Sequence, residues 1–247
     1  MIPLLAFHPP VIAHRGAGLI APENTLEAVK EAKQQGARWI EIDVKITYDG
    51  VPILMHDETV DRTTTGTGLI AEMTWEAVQA LDAGIKFGNA YRGVKVPSLS
   101  DTMKAVVEAD MDIVVEMKPC PGRSKATTMV TMFEMSKVWP EKDRLPVISS
   151  FDVESLEIAA QLEPHWPRCL LLDSWVEDWK ARFEQVEGSA VAVSDAALTP
   201  ERVDELNHLR IPLLAYTVND PQRAKELLAW GVAAVYAGSP RAILDVL

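Results

Sequence analysis

Glu41, Asp43 and His56 sit in two apolar, β-branched-rich runs that flank Asp49-Gly50. Asp-Gly between such runs is the strongest short signal for a two-residue type I′ hairpin. With that loop, Tyr48 faces Val51, Asp43 lies opposite His56, and Glu41 lies opposite Glu58. Alternation along a strand puts Glu41 and Asp43 on one face, and the directly opposed His56 joins them. Two carboxylates and an imidazole inside apolar runs are costly to bury without a cation or hydrogen-bond partners. The grouping depends on register, because a one-residue slip points His56 to the other face.

Two further clusters share this chemistry. His14-Arg15 follows the apolar run that begins at Val11, and Glu116 and Lys118 end a second run. Glu41, Asp43 and Glu116 together offer oxygen ligands with open positions, which suit Mg²⁺, Ca²⁺ or Mn²⁺ better than zinc. A salt-bridge network with Arg15 and Lys118 would use the same carboxylates, and spacing alone leaves both readings open. His14 and His56 beside carboxylates read as an acid–base pair, since histidine titrates near working pH. His8, His165 and His208 have ordinary surroundings. Arg15 suits bidentate recognition of phosphate or carboxylate. Metal, two histidines, Arg and Lys fit a reaction that builds negative charge on a phosphoryl group. Trp175 and Tyr216, near strand ends, are candidates for lining a substrate groove.

These residues need a scaffold that brings distant segments to one place. Strand and helix signals alternate through most of the chain. Strand Val11–His14 precedes helix Pro22–Gln35, and Trp39–Val44 is the second strand. The pattern breaks from Lys45 to Pro97, with a helical stretch near Thr74–Ala83, and this stretch reads as an insertion. Residues 57–97 form its cap-like part. Helix Ser98–Ala109 then leads to strand Asp112–Met117, and helix Ser124–Val138 to strand Pro146–Ser150. Helix Asp152–Glu163 leads to strand Arg168–Leu172, and helix Ser174–Val186 to strand Ala190–Val193. Helix Pro200–Leu209 leads to strand Pro212–Val218, helix Pro221–Trp230 to strand Val232–Ala237, and helix Pro240–Val246 closes the chain. Alternating β and α units imply a parallel sheet, and this many units point to a TIM (β/α)8 barrel as a single domain over residues 1–247. An open doubly wound sheet often carries a G-x-G-x-x-G loop, and none is present. In a barrel, function gathers at the C-terminal ends of the strands, where His14, Arg15, Glu41, Asp43, Glu116 and Lys118 fall.

Composition bounds the partners. A formal net charge of −12 argues against nucleic acid but not against a small anion, whose field is set locally. The 48% hydrophobic content supports a large core. Cys120 and Cys169 fit no zinc spacing and read as reduced thiols. The segment Met1-Ile2-Pro3-Leu4-Leu5-Ala6-Phe7-His8-Pro9-Pro10 lacks the basic region and apolar core of a signal peptide. No apolar run approaches a membrane span of roughly 20 residues. The expectation is a soluble, cytoplasmic protein without a membrane anchor.

The ordered set Val11-Ile12-Ala13-His14-Arg15-Gly16, Ala21-Pro22-Glu23-Asn24-Thr25, Glu41-Ile42-Asp43-Val44, Asp49-Gly50, His56-Asp57, Arg62-Thr63-Thr64 and Glu116-Met117-Lys118 resembles the glycerophosphodiester phosphodiesterase family. Leu171-Leu172-Asp173-Ser174-Trp175 and Tyr216-Thr217-Val218-Asn219 extend the resemblance towards its cytosolic bacterial members. It implies an α/β barrel of the phospholipase C-like phosphodiesterase type, with a small insertion after the second strand. It implies hydrolysis of small-molecule glycerophosphodiesters, such as glycerophosphocholine or glycerophosphoethanolamine, to sn-glycerol 3-phosphate and an alcohol. His14 and His56 would be the acid–base pair. Glu41, Asp43 and Glu116 would hold one divalent cation (Mg²⁺ or Ca²⁺, with Mn²⁺ also fitting), and Arg15 and Lys118 would contact the phosphate.

Two positions depart from the family pattern. Ala237-Gly238 stands where the family usually has Thr-Asp at the end of the last strand, and Tyr216 stands where many members have Trp. A non-catalytic glycerophosphodiester-binding barrel is the competing reading, which the intact histidines and carboxylates oppose. A phospholipase-type enzyme on lipid substrates ranks lower, because no basic amphipathic helix is present.

Overall fold

The computed structural model describes residues 5–139 and 144–247. The first four residues of the N-terminal segment considered above lie outside that range. The elements β1 (Val11–Ala13), α1 (Leu26–Gln34), β2 (Trp39–Ile46) and β3 (Pro52–Leu54) open the chain. A long segment holding the short helix α2 (Trp75–Ala80) leads to α3 (Leu99–Glu108). Strand and helix then alternate: β4 (Asp112–Met117), α4 (Ser124–Val138), β5 (Val147–Ser150), α5 (Val153–Leu162), β6 (Arg168–Leu172) and α6 (Trp179–Gln185). The series continues with β7 (Ala190–Ser194), α7 (Pro200–His208), β8 (Leu213–Tyr216), α8 (Pro221–Trp230), β9 (Ala234–Ala237) and α9 (Pro240–Leu244).

β1 pairs in parallel with both β2 and β9, Ile12 lying beside Trp39 on one side and Tyr236 on the other. The sheet therefore closes. Among the described residues it has nine strands, of which only β3 is antiparallel, and the other eight form the expected (β/α)8 barrel. Strands buried on both faces read as near-continuous apolar runs, as in Val11–Ala13 and Ala190–Val193, all buried. Val114, Val147, Leu171, Ala192 and Leu214 fill the barrel interior, and Phe7 packs on Trp39 (ring centroids 4.7 Å). A second core lies between the strands and the helices. Ile53, Val60, Ile70, Val78 and Val96 form a separate apolar cluster under the segment that follows β2.

Three local expectations differ from the structure. Val44 faces Leu54 and Lys45 faces Ile53, one residue away from the register of a two-residue loop. The Thr47 N–H donates to the Val51 carbonyl (3.0 Å) and the Gly50 N–H to that of Thr47 (3.1 Å). Tyr48, Asp49 and Gly50 thus form a three-residue loop, with Gly50 at φ 83° supplying the left-handed residue it needs. Asp49 is held by Thr47 Oγ1 (2.6 Å) and the Trp75 N–H (2.9 Å), which ties the loop to α2. Second, α1 begins at Leu26, not Pro22. Asn24 at φ 57° cannot be helical, and Thr25 Oγ1 caps the helix by accepting from the Ala28 N–H (3.2 Å). Third, α6 begins only at Trp179, so Ser174–Asp178 is loop.

Candidate active site at the barrel mouth

The end of β1 turns sharply. Arg15 (φ 53°) and Gly16 (φ 78°) are both left-handed. A Cβ on Gly16 would lie 2.6 Å from that of Ala28, so glycine is required there. The turn aims backbone donors at Glu41: the Arg15 N–H reaches Oε2 (2.8 Å), and the Gly16 N–H reaches the Glu41 carbonyl (3.1 Å). His14 Nε2 stands 3.9 Å from the same Oε2.

Alternation along β2 presents Glu41 and Asp43 together, and the parallel register sets Glu116 of β4 beside Asp43. One oxygen from each carboxylate lies within 4.8 Å of the others, and all three residues are buried. Asn24 holds Asp43 from both sides, donating Nδ2 to Oδ2 (2.7 Å) and accepting the Asp43 N–H (3.1 Å). Among the described residues, Glu41 Oε1 and Asp43 Oδ1 are buried without any hydrogen-bond partner. Burial, then the Asp43 and Glu116 charges, raises the Glu41 carboxyl well above the usual range. Burial and Asp43 push Glu116 up to about 7 against the pull of Lys118. Orphaned oxygens on crowded buried carboxylates are the arrangement that a hard divalent cation satisfies. The residues present therefore fit such an ion.

His56 reaches the mouth by a different route from the one expected. The ladder of β3 ends at Leu54. Met55 still donates its N–H to the Asp43 carbonyl (3.1 Å), and His56 is the next residue along the loop. Its Nδ1 lies 2.6 Å from Asp57 Oδ1. Asp57 binds Arg62 Nε (2.7 Å), and Arg62 reaches Glu23 through Nη1 (2.7 Å) and Nη2 (2.8 Å). Glu23 in turn accepts from Arg15 Nη1 (2.9 Å), and Arg15 Nε is 3.3 Å from Asp43. A chain of alternating charge thus joins His56 to the carboxylate trio.

The histidines differ electrostatically. Burial, then Arg15, lowers His14 to about 4. Burial also lowers His56, but Asp43 and Asp57 oppose this. Hydrogen bonding from Arg62 holds Asp57 far below the usual carboxylate range. Lys118 Nζ donates to Glu116 Oε1 (2.9 Å).

His14, Arg15, Glu41, His56, Glu116, Lys118 and Tyr216 all line one cavity of about 170 Å³ at the mouth. Asp43 lies just beneath, on the shared face of β2. Tyr216 donates its hydroxyl to the Leu172 carbonyl (2.8 Å) and meets Phe151 edge-on (5.9 Å). Trp175 stands apart. Its ring packs on Trp179 (5.6 Å) and Arg202 (5.3 Å), and it is not among the residues lining the cavity. Because α6 starts late, Trp175 lies in a loop that folds back onto that helix. Asn24, Glu23, Asp57 and Arg62 received no role from sequence, although all four lie in the motifs that carried the resemblance. Phe151 was likewise missed.

The altered segment after β9 is handled by backbone. The Ala237 carbonyl accepts the His14 N–H (2.9 Å), and the Gly238 N–H donates to Asn219 Oδ1 (2.8 Å). A Cβ at Gly238 would come within 2.6 Å of Leu19 Cγ, so Leu19 fills the space of a side chain there. Both cysteines are free and buried. Among the described residues, no helix is long and apolar enough to cross a membrane.

A profile described as the Glycerophosphoryl diester phosphodiesterase family matches residues 14–241. A glycerophosphodiester phosphodiesterase of Caldanaerobacter subterraneus is 31% identical over 242 residues, covering 96% of this chain and 97% of that protein. One from Bacillus subtilis is also 31% identical, covering 93% of this chain and 83% of its own. Among solved structures, an Oleispira antarctica phosphodiesterase in complex with its product sn-glycerol-3-phosphate superposes with a TM-score of 0.94. It is 32% identical, covering 96% of both chains.

Proposed function

This chain belongs to the glycerophosphoryl diester phosphodiesterase family, and we propose that it hydrolyses water-soluble glycerophosphodiesters to sn-glycerol 3-phosphate and an alcohol. Glycerophosphocholine and glycerophosphoethanolamine are the substrates we expect first. Glu41, Asp43 and Glu116 would hold one divalent cation, Mg²⁺, Ca²⁺ or Mn²⁺. When bound, such an ion supplies positive charge against the phosphoryl oxygens as negative charge builds there.

The chain's own groups do the rest. Arg15 and Lys118 place fixed positive charge at the phosphate, and Arg15 is held in position by Glu23. His14, at the end of β1 with Nε2 3.9 Å from Glu41, is the group we assign as base, accepting a proton from the attacking hydroxyl or water. Asp57 holds Nδ1 of His56 (2.6 Å) and stabilises its protonated form, so His56 donates to the leaving oxygen. Tyr216 lines the groove, and Trp175 would act only from the loop before α6. Residues 57–97 act as a cap within a single barrel domain, and the compartment is the cytoplasm.

The observation that carries this reading is the meeting of both histidines, Arg15 and Lys118 around one cavity that also borders Glu41 and Glu116. The test is release of sn-glycerol 3-phosphate from glycerophosphocholine with Mg²⁺, Ca²⁺ or Mn²⁺, and with a chelator. Metal-dependent release supports it. No release with any diester or cation would overturn it, and binding without turnover would favour the non-catalytic barrel.

A further inference from the structure

A diester carries two arms on phosphorus, and the mouth opens into two cavities. The first, of about 170 Å³, lies within the barrel rim and is walled by Leu171, Tyr216 and Tyr236. The second, of about 590 Å³, lies outside it, between Asp57-Glu58, the loop Pro119–Gly122 and Phe151-Asp152. Four residues line both: His56, Glu116, Lys118 and Phe151. These include the groups assigned above to the proton donor, the cation and the phosphate. A phosphorus held by these groups would lie at the shared wall, with one arm in each cavity.

Size decides which arm goes where. At about 170 Å³ against about 590 Å³, the inner cavity suits the compact glycerol arm. The outer cavity has room for larger and more varied alcohols, and it borders His56, the proton donor to the leaving oxygen.

Charge decides which alcohol fits best. Asp57 is paired with Arg62, Glu116 with Lys118, and Asp152 caps α5 through Ser155. The Lys45 ammonium, at the back of the cavity, is buried and donates to the Lys118 carbonyl (2.8 Å). Among the described residues Glu58 has no side-chain partner, and it is exposed on the cavity wall. Phe151, 40% exposed, lines the same cavity, with Lys118 Nζ 5.4 Å from its ring centre. Glu58, whose charge also reaches Lys45, and the Phe151 ring thus share one cavity, and a carboxylate and an aromatic ring are the groups that favour an ammonium.

Resting on the reading under Proposed function, we propose that the outer cavity is the leaving-alcohol subsite, and that Glu58 with Phe151 selects cationic amino alcohols. The measurement is the ratio of kcat/KM for glycerophosphocholine to that for the uncharged-headgroup diester glycerophosphoglycerol. It is made for the metal-loaded wild type, Glu58→Gln and Glu58→Lys. Neutralising an exposed carboxylate should lower the ratio about fivefold, through KM for the choline diester. Glu58→Lys should lower it further, and added salt should shrink the wild-type ratio. A ratio that stays the same in both variants, including equal loss on both substrates, overturns the proposal while leaving the phosphodiesterase reading intact. Absence of turnover by the wild type on either diester overturns that reading itself.

Discussion

Arg62 grips Glu23 with both terminal nitrogens, at 2.7 and 2.8 Å, while its Nε holds Asp57 at 2.7 Å. One guanidinium from the loop after β3 thereby orients the partner of His56 and the partner of Arg15. Hydrogen bonds of this kind act through the groups they position.

Arg62→Ala should therefore lower kcat by about 10–100-fold, the usual effect of losing an outer-shell partner. Arg62→Lys should recover little of it, because an ammonium cannot reproduce the planar fork that spans two carboxylates. Arg62 is half exposed, so the folded state should lose little stability. Steady-state kinetics beside a thermal melt separate the two effects. A large fall in Tm with an unchanged kcat of the folded fraction would count against the positioning role.

Asn24 makes a different kind of contact. Buried itself, it donates to Asp43 Oδ2 and accepts from the Asp43 N–H. Asn24→Ala leaves the carboxylate unsupported and the N–H unpaired, at a cost of about 1–3 kcal/mol in stability. Cation affinity should fall about 10–100-fold. Titration of the apo protein with Mn²⁺, followed by activity and by calorimetry, reads both. Unchanged affinity would mean that Asp43 needs no orientation.

How much of this was legible in the sequence depends on what each residue must do. The barrel was, because eight apolar strands alternating with helices repeat one signal many times. The trio of carboxylates was, because alternation and strand ends are properties of any parallel barrel. The route of His56 was not: an Asp-Gly pair fits both a two-residue loop and a three-residue loop with Gly50 left-handed. Distant bonds accompany the three-residue form, from the Trp75 N–H to Asp49 and from the Tyr48 N–H to the Met73 carbonyl. Asn24 looked like part of a helix, since a positive φ at a non-glycine residue is imposed by tertiary contacts that no local pattern records. Trp175 shows the converse, where a residue beside a strand end is claimed by a neighbouring helix rather than by the cavity.

The carboxylate trio makes cation binding and stability depend on pH. Burial and Asp43 raise Glu116 from 4.5 to about 7 in the folded chain without cation. A group whose folded pKa is raised binds its proton more tightly folded than unfolded, so its contribution is present below about 4.5 and is lost as pH rises through about 7. His14, lowered from 6.5 to about 4, has the opposite sign, so Glu116 must be isolated by comparison. The Tm of the apo wild type relative to apo Glu116→Gln should fall between pH 5 and pH 8. A cation displaces those protons, so the Mg²⁺-induced rise in wild-type Tm should grow over the same interval. A cation shift that is the same at both pH values would argue against ligation by the trio.

Gly16 tests whether the turn after β1 is as constrained as its geometry indicates. Its φ of 78° disfavours any side chain, and a methyl would press on Ala28 at 2.6 Å. Strain and overpacking together should cost about 2–4 kcal/mol in Gly16→Ala. For a chain of this size that is a Tm loss of roughly 5–15 °C. The same shift would pull the Arg15 N–H from Glu41 Oε2, so the surviving folded enzyme should also bind its cation more weakly. Gly18→Ala is the control. It has no positive φ, and a Cβ there meets nothing closer than 3.1 Å, so it should cost less. Equal losses in the two variants would show that the left-handed turn is not what holds Arg15 against Glu41.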